Sequence, residues 1–86
     1  MHFVYIIYSE TFGIYYKGET SDISARLSAH NQNKSNCTAN KGPWKLVYLE
    51  KLSTRSEALK REKMLKKQNR KYIEWLILQP SNTLVV

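Results

Sequence analysis

A carboxylate in a strongly basic segment is the first group whose position suggests chemistry. Residues 51–72 carry nine lysines and arginines but only two glutamates, one of which is Glu62. On an α-helix, which turns about 100° per residue, Glu62 falls on the same side as Leu59 and Leu65, whereas three of the lysines point the opposite way. A buried carboxylate is unfavourable by several kcal/mol unless it is paired or binds a metal ion. Glu62 therefore needs a partner.

Two explanations for Glu62 remain open from the residues alone. It is half of a structural ion pair, with Arg26 or Arg61 as the partner, or it is a metal ligand or an acid–base group at a cleft. Two tyrosines upstream, Tyr5 and Tyr16, are the other notable polar groups. A tyrosine in a strand is more often a core residue whose hydroxyl lies at the rim.

A β-hairpin accounts for the placement of the two tyrosines. Residues 3–8 are β-branched and aromatic throughout, and residues 14–18 form a second such run, which predicts two strands. The connection between them, residues 9–13, is short enough for a hairpin. We expect Tyr5 to lie opposite Tyr16. Both phenols then project from the same face of the sheet, because side chains alternate along a strand.

A helix is predicted next, because Ser21 or Asp22 can cap it and apolar residues follow at helical spacing. Arg26 and His30 are four residues apart, so they lie on one face of that helix. Arg26 is equally suited to bind a structural carboxylate or a backbone carbonyl, and a histidine at a helix end is often a surface or capping residue. A polar loop and a third strand then follow, over residues 31–42 and 44–52.

The second half of the chain predicts two more helices. Thr54 and Glu57 have the spacing of a capping box, which starts a helix that we expect to reach about Asn69. A short final helix is predicted over residues 72–78. Its apolar stripe comprises Ile73, Leu76 and Ile77.

The order strand, strand, helix, strand, helix, helix predicts an α/β (α+β) fold in which helices cover a small sheet. The chain has 86 residues, which predicts one domain over residues 1–80 and a C-terminal tail over residues 81–86. The apolar runs fall short of the roughly 20 residues that span a bilayer. A single cysteine, Cys37, cannot form an internal disulfide. These features favour a cytoplasmic protein without a structural metal ion.

The charge distribution points to the class of partner. Nine basic minus two acidic side chains give residues 51–72 a charge of +7, which equals the net charge of the whole chain. Such a concentrated basic surface is typical of proteins that bind a polyanion, most often a nucleic acid. A solvated helix face of a basic protein would have the same composition.

Taken together, five short motifs resemble those of the GIY-YIG nuclease family. Each motif is weak alone, but all five occur in order and at suitable spacing over most of the chain. Phe3-Val4-Tyr5 stands in place of Gly-Ile-Tyr, Tyr16-Lys17-Gly18 in place of Tyr-Ile-Gly, Arg26 with His30-Asn31 matches the helix motif, and Pro43-Trp44 and the segment 58–62 complete the series. The closest likeness is to small stand-alone bacterial proteins related to the amino-terminal nuclease domain of the excision-repair incision enzyme.

The resemblance implies a fold and a reaction. The fold would be a three-stranded antiparallel sheet flanked by helices. The reaction would be Mg²⁺- or Mn²⁺-dependent hydrolysis of phosphodiester bonds in DNA, structure-selective or in repair or recombination. By resemblance, Glu62 would bind the metal ion, Arg26 would hold a phosphate oxygen, and Tyr5 would act as general base. Tyr16 and His30 would orient water or phosphate, or relay the proton.

The resemblance also implies residues that contact nucleic acid. Gly18 would let the backbone approach the substrate, and a protein partner could supply specificity. Glu19 departs from the family pattern, in which many relatives carry a neutral or basic residue after the glycine, and its negative charge near the phosphate would weaken binding. Asn69 is the candidate for the family's late asparagine. A non-catalytic nucleic-acid-binding module that keeps the fold is the alternative function. The basic contacts to flanking phosphates would come from Lys60, Lys63, Lys66 and Lys67.

Overall fold

Three antiparallel strands form one open sheet, and the first strand in the chain lies between the second and the third. The structure, a computed structural model, describes residues 1–84. Within that range, every helix is too short or too polar to cross a lipid bilayer. The predicted α+β class is confirmed. The elements are β1 His2–Ser9, β2 Ile14–Thr20, α1 Ile23–Asn31, β3 Trp44–Leu52, α2 Arg55–Lys66 and α3 Arg70–Ile77.

The two faces of the sheet are covered by different helices. Val4 and Ile6 point to one face, where α2 and α3 pack on them, whereas Tyr5 and Ile7 point to the other face, which α1 covers. This division follows from the alternation of side chains along a strand. It also explains the unbroken apolar run of β1, since a central strand covered on both faces has no solvent side. The first core includes Ala58, Leu65, Ile73 and Leu76, and the second includes Trp44, Ile23 and Leu27.

The hairpin register differs from the predicted one by two residues. Tyr5 pairs with Gly18 rather than with Tyr16, and Ile7 occupies the position opposite Tyr16. The turn sets this register: Gly13 adopts a φ of 65°, in the left-handed region, and its N–H donates to the Ser9 carbonyl at 2.7 Å. A shift of two residues keeps every side chain on its original face. Tyr5 and Tyr16 therefore still share the face that α1 covers.

The helix starts follow the predicted caps, whereas α2 is shorter than expected. Asp22 caps α1 by accepting from the Ala25 N–H, and Thr54 caps α2 by accepting from the Glu57 N–H. The predicted continuation of α2 to Asn69 is wrong, because the helix ends at Lys66. Asn69 instead caps α3, which begins two residues earlier than predicted.

Residues 81–84 belong to the segment that the sequence assigned to a tail, and yet they pack on β3. Asn82 is 1% exposed. Its amide donates to the carbonyls of Val47 and Ile77, both at 2.9 Å, and its side-chain oxygen accepts from the Leu49 and Leu84 N–H groups, both at 3.1 Å. One side chain thereby ties the chain end to both β3 and α3. Residues 85 and 86 of the predicted tail lie outside the described residues.

Replacing Asn82 with alanine is expected to lower the free energy of unfolding by roughly 1–3 kcal/mol, because buried backbone groups would lose their partners. Urea denaturation followed by circular dichroism would measure this loss. Thr83→Ala is the matched control, since that side chain is exposed beside the same contacts. Equal stability of the two variants would contradict a structural role for Asn82.

Candidate active site

Tyr5, Arg26 and His30 meet on the face of the sheet that α1 covers. The Tyr5 hydroxyl lies 2.8 Å from His30 Nε2, and Arg26 Nε donates to the same hydroxyl at 3.4 Å. Tyr5 is 1% exposed and His30 is fully buried. The four-residue spacing of Arg26 and His30 on α1 places them side by side over the phenol, as predicted from the helix period. His30 is thus a buried partner of Tyr5 rather than a surface or capping residue.

The hydrogen bonds run in one direction through this group. Arg26 can only donate, so the Tyr5 oxygen accepts from it. We assign the histidine tautomer in which Nε2 accepts from the Tyr5 O–H and the ring proton is on Nδ1, which lies 2.7 Å from Thr38 Oγ1. The result is a chain from the guanidinium through the phenol and the imidazole to the Thr38 hydroxyl. We call these four residues the Tyr5 relay.

The surroundings of Tyr5 and His30 determine which of the two is protonated when no substrate or metal ion is bound. Burial raises the pKa of Tyr5 above its ordinary value of 10.0, the hydrogen bond and charge of Arg26 oppose that rise, and Tyr16 and Glu62 add to it. Burial, with a smaller contribution from Arg26, lowers the pKa of His30 below its ordinary value of 6.5. Tyr5 is therefore a neutral phenol at pH 7, and His30 is a neutral imidazole that can accept a proton.

Tyr16 joins the same group from β2. Its ring meets the His30 ring edge-on at a centroid distance of 5.2 Å, and it contacts Trp44 in the same way at 6.5 Å. The hydrogen bond to Tyr5 raises the pKa of the Arg26 guanidinium, burial opposes this rise, and Tyr16 adds a smaller contribution to it. Tyr16 therefore packs against His30 directly.

Gly18 leaves room for Tyr5. A Cβ atom at position 18 would lie 2.4 Å from the Tyr5 hydroxyl oxygen and 2.6 Å from Cζ, closer than real Cβ contacts. The corrected register explains this, because Gly18 lies directly opposite Tyr5 and on the same face. The family resemblance implied a different reason for this glycine, namely a close approach of the backbone to substrate. The structure shows that the phenol occupies the space that a side chain would fill.

Glu62 lies at the border of the buried side of α2. Its side chain is 18% exposed, whereas Leu59, which the helical angles placed on the same stripe, is 42% exposed. The ion-pair partners proposed from the sequence are wrong: Arg26 binds Tyr5, and Arg61 pairs with Glu50 at 2.9 Å. Glu62 pairs instead with Lys66, 3.7 Å away and one turn on.

The assignment of Glu62 as a metal ligand remains a prediction. Burial is the largest cause of the raised pKa of Tyr5, and the charge of Glu62 is the smallest of the causes that raise it. Among residues 1–84, no group of three or more histidine, cysteine or acidic side chains could hold a metal ion. A cation here would therefore have one carboxylate and otherwise water and substrate oxygens. Mg²⁺, which keeps several waters and uses one or two carboxylates, accepts such a donor set.

The four lysines proposed to contact nucleic acid all lie on the exposed part of α2 or directly after it. Lys66 is half-exposed and pairs with Glu62, so its ammonium group lies beside the candidate metal ligand. The other three point away from the buried side of the helix. Their part in binding remains a prediction. The four are Lys60, Lys63, Lys66 and Lys67.

Sequence reasoning missed Thr38 and the part played by Asn31. Thr38 is fully buried although it lies in a polar loop, and its carbonyl accepts from the Trp44 indole N–H at 3.3 Å. Asn31 follows His30 in the family motif, and its side chain binds the backbone N–H and carbonyl of Trp44 at 2.6 and 3.1 Å. These contacts fix the loop between α1 and β3 against His30. The Asn31 motif was visible in the sequence, whereas nothing local marked Thr38.

Comparison with known proteins identifies the family of this chain. A family model described as the GIY-YIG catalytic domain matches residues 1–76. UPF0213 proteins of Staphylococcus epidermidis and Staphylococcus aureus are 43% and 41% identical over 70 residues, which is 80% of this chain and 84% of each relative. The solution NMR structure of a UPF0213 protein from Bacillus halodurans matches with a TM-score of 0.60 at 28% identity, covering 96% of this chain and 88% of that one. The chain therefore belongs to the GIY-YIG catalytic domain family.

Proposed function

We propose that the protein is a metal-dependent endonuclease that hydrolyses phosphodiester bonds in DNA. The observation that carries the proposal is the Tyr5 relay, in which a buried phenol is held between a guanidinium and a neutral imidazole. Such an arrangement offers a proton acceptor and a positive charge at one place, which is what attack of water on a phosphodiester requires. Membership of the family supports a nucleic-acid substrate.

Water activation is assigned to Tyr5 and His30. The Tyr5 oxygen removes a proton from the attacking water while its own proton passes to His30 Nε2, 2.8 Å away. The imidazole is able to accept because burial lowers its pKa and keeps it neutral. Because its pKa is raised, Tyr5 is protonated in the resting protein and is a poor acceptor for a proton from water. Transfer of the phenol proton to His30 therefore depends on additional positive charge nearby.

Arg26 is assigned to the phosphate. Its Nε group is committed to Tyr5, but a guanidinium has five N–H donors, and the remaining ones can bind a non-bridging oxygen. As the water oxygen forms its bond to phosphorus, the bond to the leaving oxygen breaks and negative charge grows on the phosphate oxygens. The leaving oxygen takes a proton from solvent. Arg26 stabilises the growing charge while it keeps the phenol aimed at the water.

Glu62 is proposed to hold the divalent cation, Mg²⁺ or Mn²⁺. A cation bound there would neutralise the phosphate and the leaving oxygen and would lower the pKa of nearby groups. The effect on Tyr5 has a definite sign, because the bare Glu62 carboxylate raises the pKa of that phenol. Neutralising this carboxylate therefore makes Tyr5 easier to deprotonate.

The proposal is tested with purified protein and labelled DNA substrates. Linear duplex, single-stranded, flap and junction DNA are each incubated with Mg²⁺ or Mn²⁺, and a chelator is the control. Cleavage of at least one substrate, abolished by the chelator, is the expected result. Salt-sensitive binding without cleavage of any substrate would favour the alternative of a non-catalytic binding module.

Thr38 provides a prediction about pH. Replacing Thr38 with valine removes the acceptor for the Nδ1 proton and favours the tautomer that cannot accept from Tyr5. We expect the cleavage rate to fall by about 10²-fold, the lower end of what positioned acid–base groups contribute. The acid limb of the pH–rate profile should also move to lower pH, because protonated His30 loses a hydrogen bond. Tyr5, Tyr16 and Arg26 face the same ring and are unchanged.

Thr38→Ser, which keeps the hydroxyl, should restore both the rate and the profile. A valine variant that melts earlier but keeps the wild-type pH profile would contradict this role.

The stability of the protein also depends on pH through His30. In the unfolded chain His30 takes up a proton near its ordinary pKa of 6.5, whereas its pKa in the folded protein is lower. The free energy of unfolding therefore decreases as the pH falls below 6.5.

A further inference from the structure

A cavity of about 420 Å³ opens beside Arg26, at the end of β2. Resting on the proposed function, we infer that this cavity binds a second phosphate group of the DNA strand, next to the one that is cut. Arg55, at the start of α2, is assigned as its main contact. The lining residues are His2, Glu19, Thr20, Ser21, Arg26 and Arg55.

Continuity with the Tyr5 relay is the first argument. Arg26 connects the Tyr5 relay with the cavity, because its Nε group donates to the Tyr5 hydroxyl and its side chain also lines the cavity. A strand whose scissile phosphate lies against Arg26 must place a neighbouring phosphate within a short distance along its backbone. The cavity and the Tyr5 relay therefore have Arg26 in common.

The second argument is the chemistry of the lining. Two guanidinium groups, from α1 and α2, face the same space, together with the hydroxyl residues Thr20 and Ser21. These are mostly hydrogen-bond donors, and paired arginines are typical of phosphate recognition. The two guanidinium charges of Arg26 and Arg55 would repel a divalent cation near the single carboxylate, Glu19. The lining therefore favours an anion.

Glu19 sets the strength of this site. Its Oε1 atom lies 3.8 Å from Arg55 Nε, while its Oε2 atom is 3.4 Å from His2 Nδ1, and neither Oε2 nor Nδ1 has a hydrogen-bond partner among residues 1–84. The Arg55 side chain is otherwise 68% exposed. The carboxylate thus holds Arg55 over the cavity but repels a phosphate that enters it. Removing the charge of Glu19 should strengthen DNA binding.

The test measures binding without cleavage. A short fluorescein-labelled DNA duplex is titrated with the full chain in the presence of a chelator, over a series of salt concentrations. Arg55→Ala is expected to weaken binding several-fold and to reduce the slope of log K against log salt by about 0.9, the value for one lost phosphate contact. Arg55→Lys should keep the wild-type slope, and Glu19→Gln should tighten binding.

Lys45→Ala is the control, because Lys45 is an exposed cation on β3, the edge strand farthest from β2. An unchanged slope for Arg55→Ala, an equal change for Lys45→Ala, or weaker binding by Glu19→Gln would overturn the inference. Failure of the proposed function is seen separately, because it appears as intact binding with no cleavage in the metal-containing assay. Absence of salt-dependent binding by the wild-type protein would overturn both.

Discussion

Glu62→Gln is expected to lower the rate of DNA cleavage about a thousandfold or more while DNA binding stays nearly unchanged. Glutamine keeps the shape of the side chain but lacks the charge that a hard divalent cation requires. Metal-ion catalysis supplies several kcal/mol of transition-state stabilisation, and each 1.36 kcal/mol is about tenfold in rate. Single-turnover cleavage of a labelled substrate measures the loss, and calorimetric titration with Mn²⁺ measures the metal ion directly.

The sign of this effect separates metal binding from a purely electrostatic role. The Glu62 carboxylate raises the pKa of Tyr5, so removing its charge without any other consequence would ease deprotonation of the phenol and would not slow the reaction. A faster or unchanged rate for Glu62→Gln would therefore contradict the assignment of Glu62 as the metal ligand. The same outcome would leave the Tyr5 relay intact as the site of water activation.

Glu74→Gln is the matched control for the change in charge. Glu74 forms an i,i+4 ion pair with Arg70 on α3, just as Glu62 does with Lys66 on α2. The Glu74 side chain is 53% exposed, compared with 18% for Glu62. Wild-type cleavage and Mn²⁺ binding by Glu74→Gln would show that loss of a helical ion pair is not the cause of the Glu62 effect.

Local patterns in the sequence were sufficient for most of the fold. The β-branched and aromatic runs of β1 and β2 predicted the hairpin, and the Asp22 and Thr54 caps predicted where α1 and α2 begin. The spacing of Arg26 and His30 predicted their common face. These features depend on residues within one turn or one strand, so a sequence displays them directly.

The parts that were missed depend on contacts between distant residues. The register of the hairpin was wrong because it is set by the left-handed conformation of Gly13, which has no signal beyond the glycine itself. Thr38 reaches His30 only through the fold of an irregular loop. Asn82 binds backbone atoms of β3 more than thirty residues away. The partner of Glu62 was wrong because Arg26 and Arg61 are held by Tyr5 and Glu50.

Gly18→Ala is expected to have the largest effect of any change outside the polar groups of the site. The added Cβ would overlap the Tyr5 phenol, which cannot retreat because it is 1% exposed and bound to both His30 and Arg26. Overpacking of this kind costs roughly 1–3 kcal/mol of stability. Cleavage should fall more steeply than stability, because any shift that relieves the overlap breaks the Tyr5 relay.

Gly13→Ala is the matched control, because it tests a glycine whose role is conformational rather than steric. An added Cβ at Gly13 meets nothing within 4 Å, but the φ of 65° is strained for alanine. We expect a loss of about 1 kcal/mol of stability and cleavage at the wild-type rate at temperatures where the variant is folded. Loss of activity in both variants to the same extent would mean that the rate reports stability alone.

A double-mutant cycle with Tyr5→Leu isolates the steric contact at Gly18. Tyr5→Leu removes the hydroxyl oxygen and Cζ, the two atoms that would lie 2.4 and 2.6 Å from the added methyl group. If the methyl group acts by colliding with the phenol, Gly18→Ala should destabilise the Tyr5→Leu variant much less than the wild-type protein. Tyr5→Phe is the informative partner, because it removes the oxygen but keeps Cζ and should relieve the effect only in part. Equal penalties in all three backgrounds would place the need for glycine in the β2 backbone, independent of Tyr5.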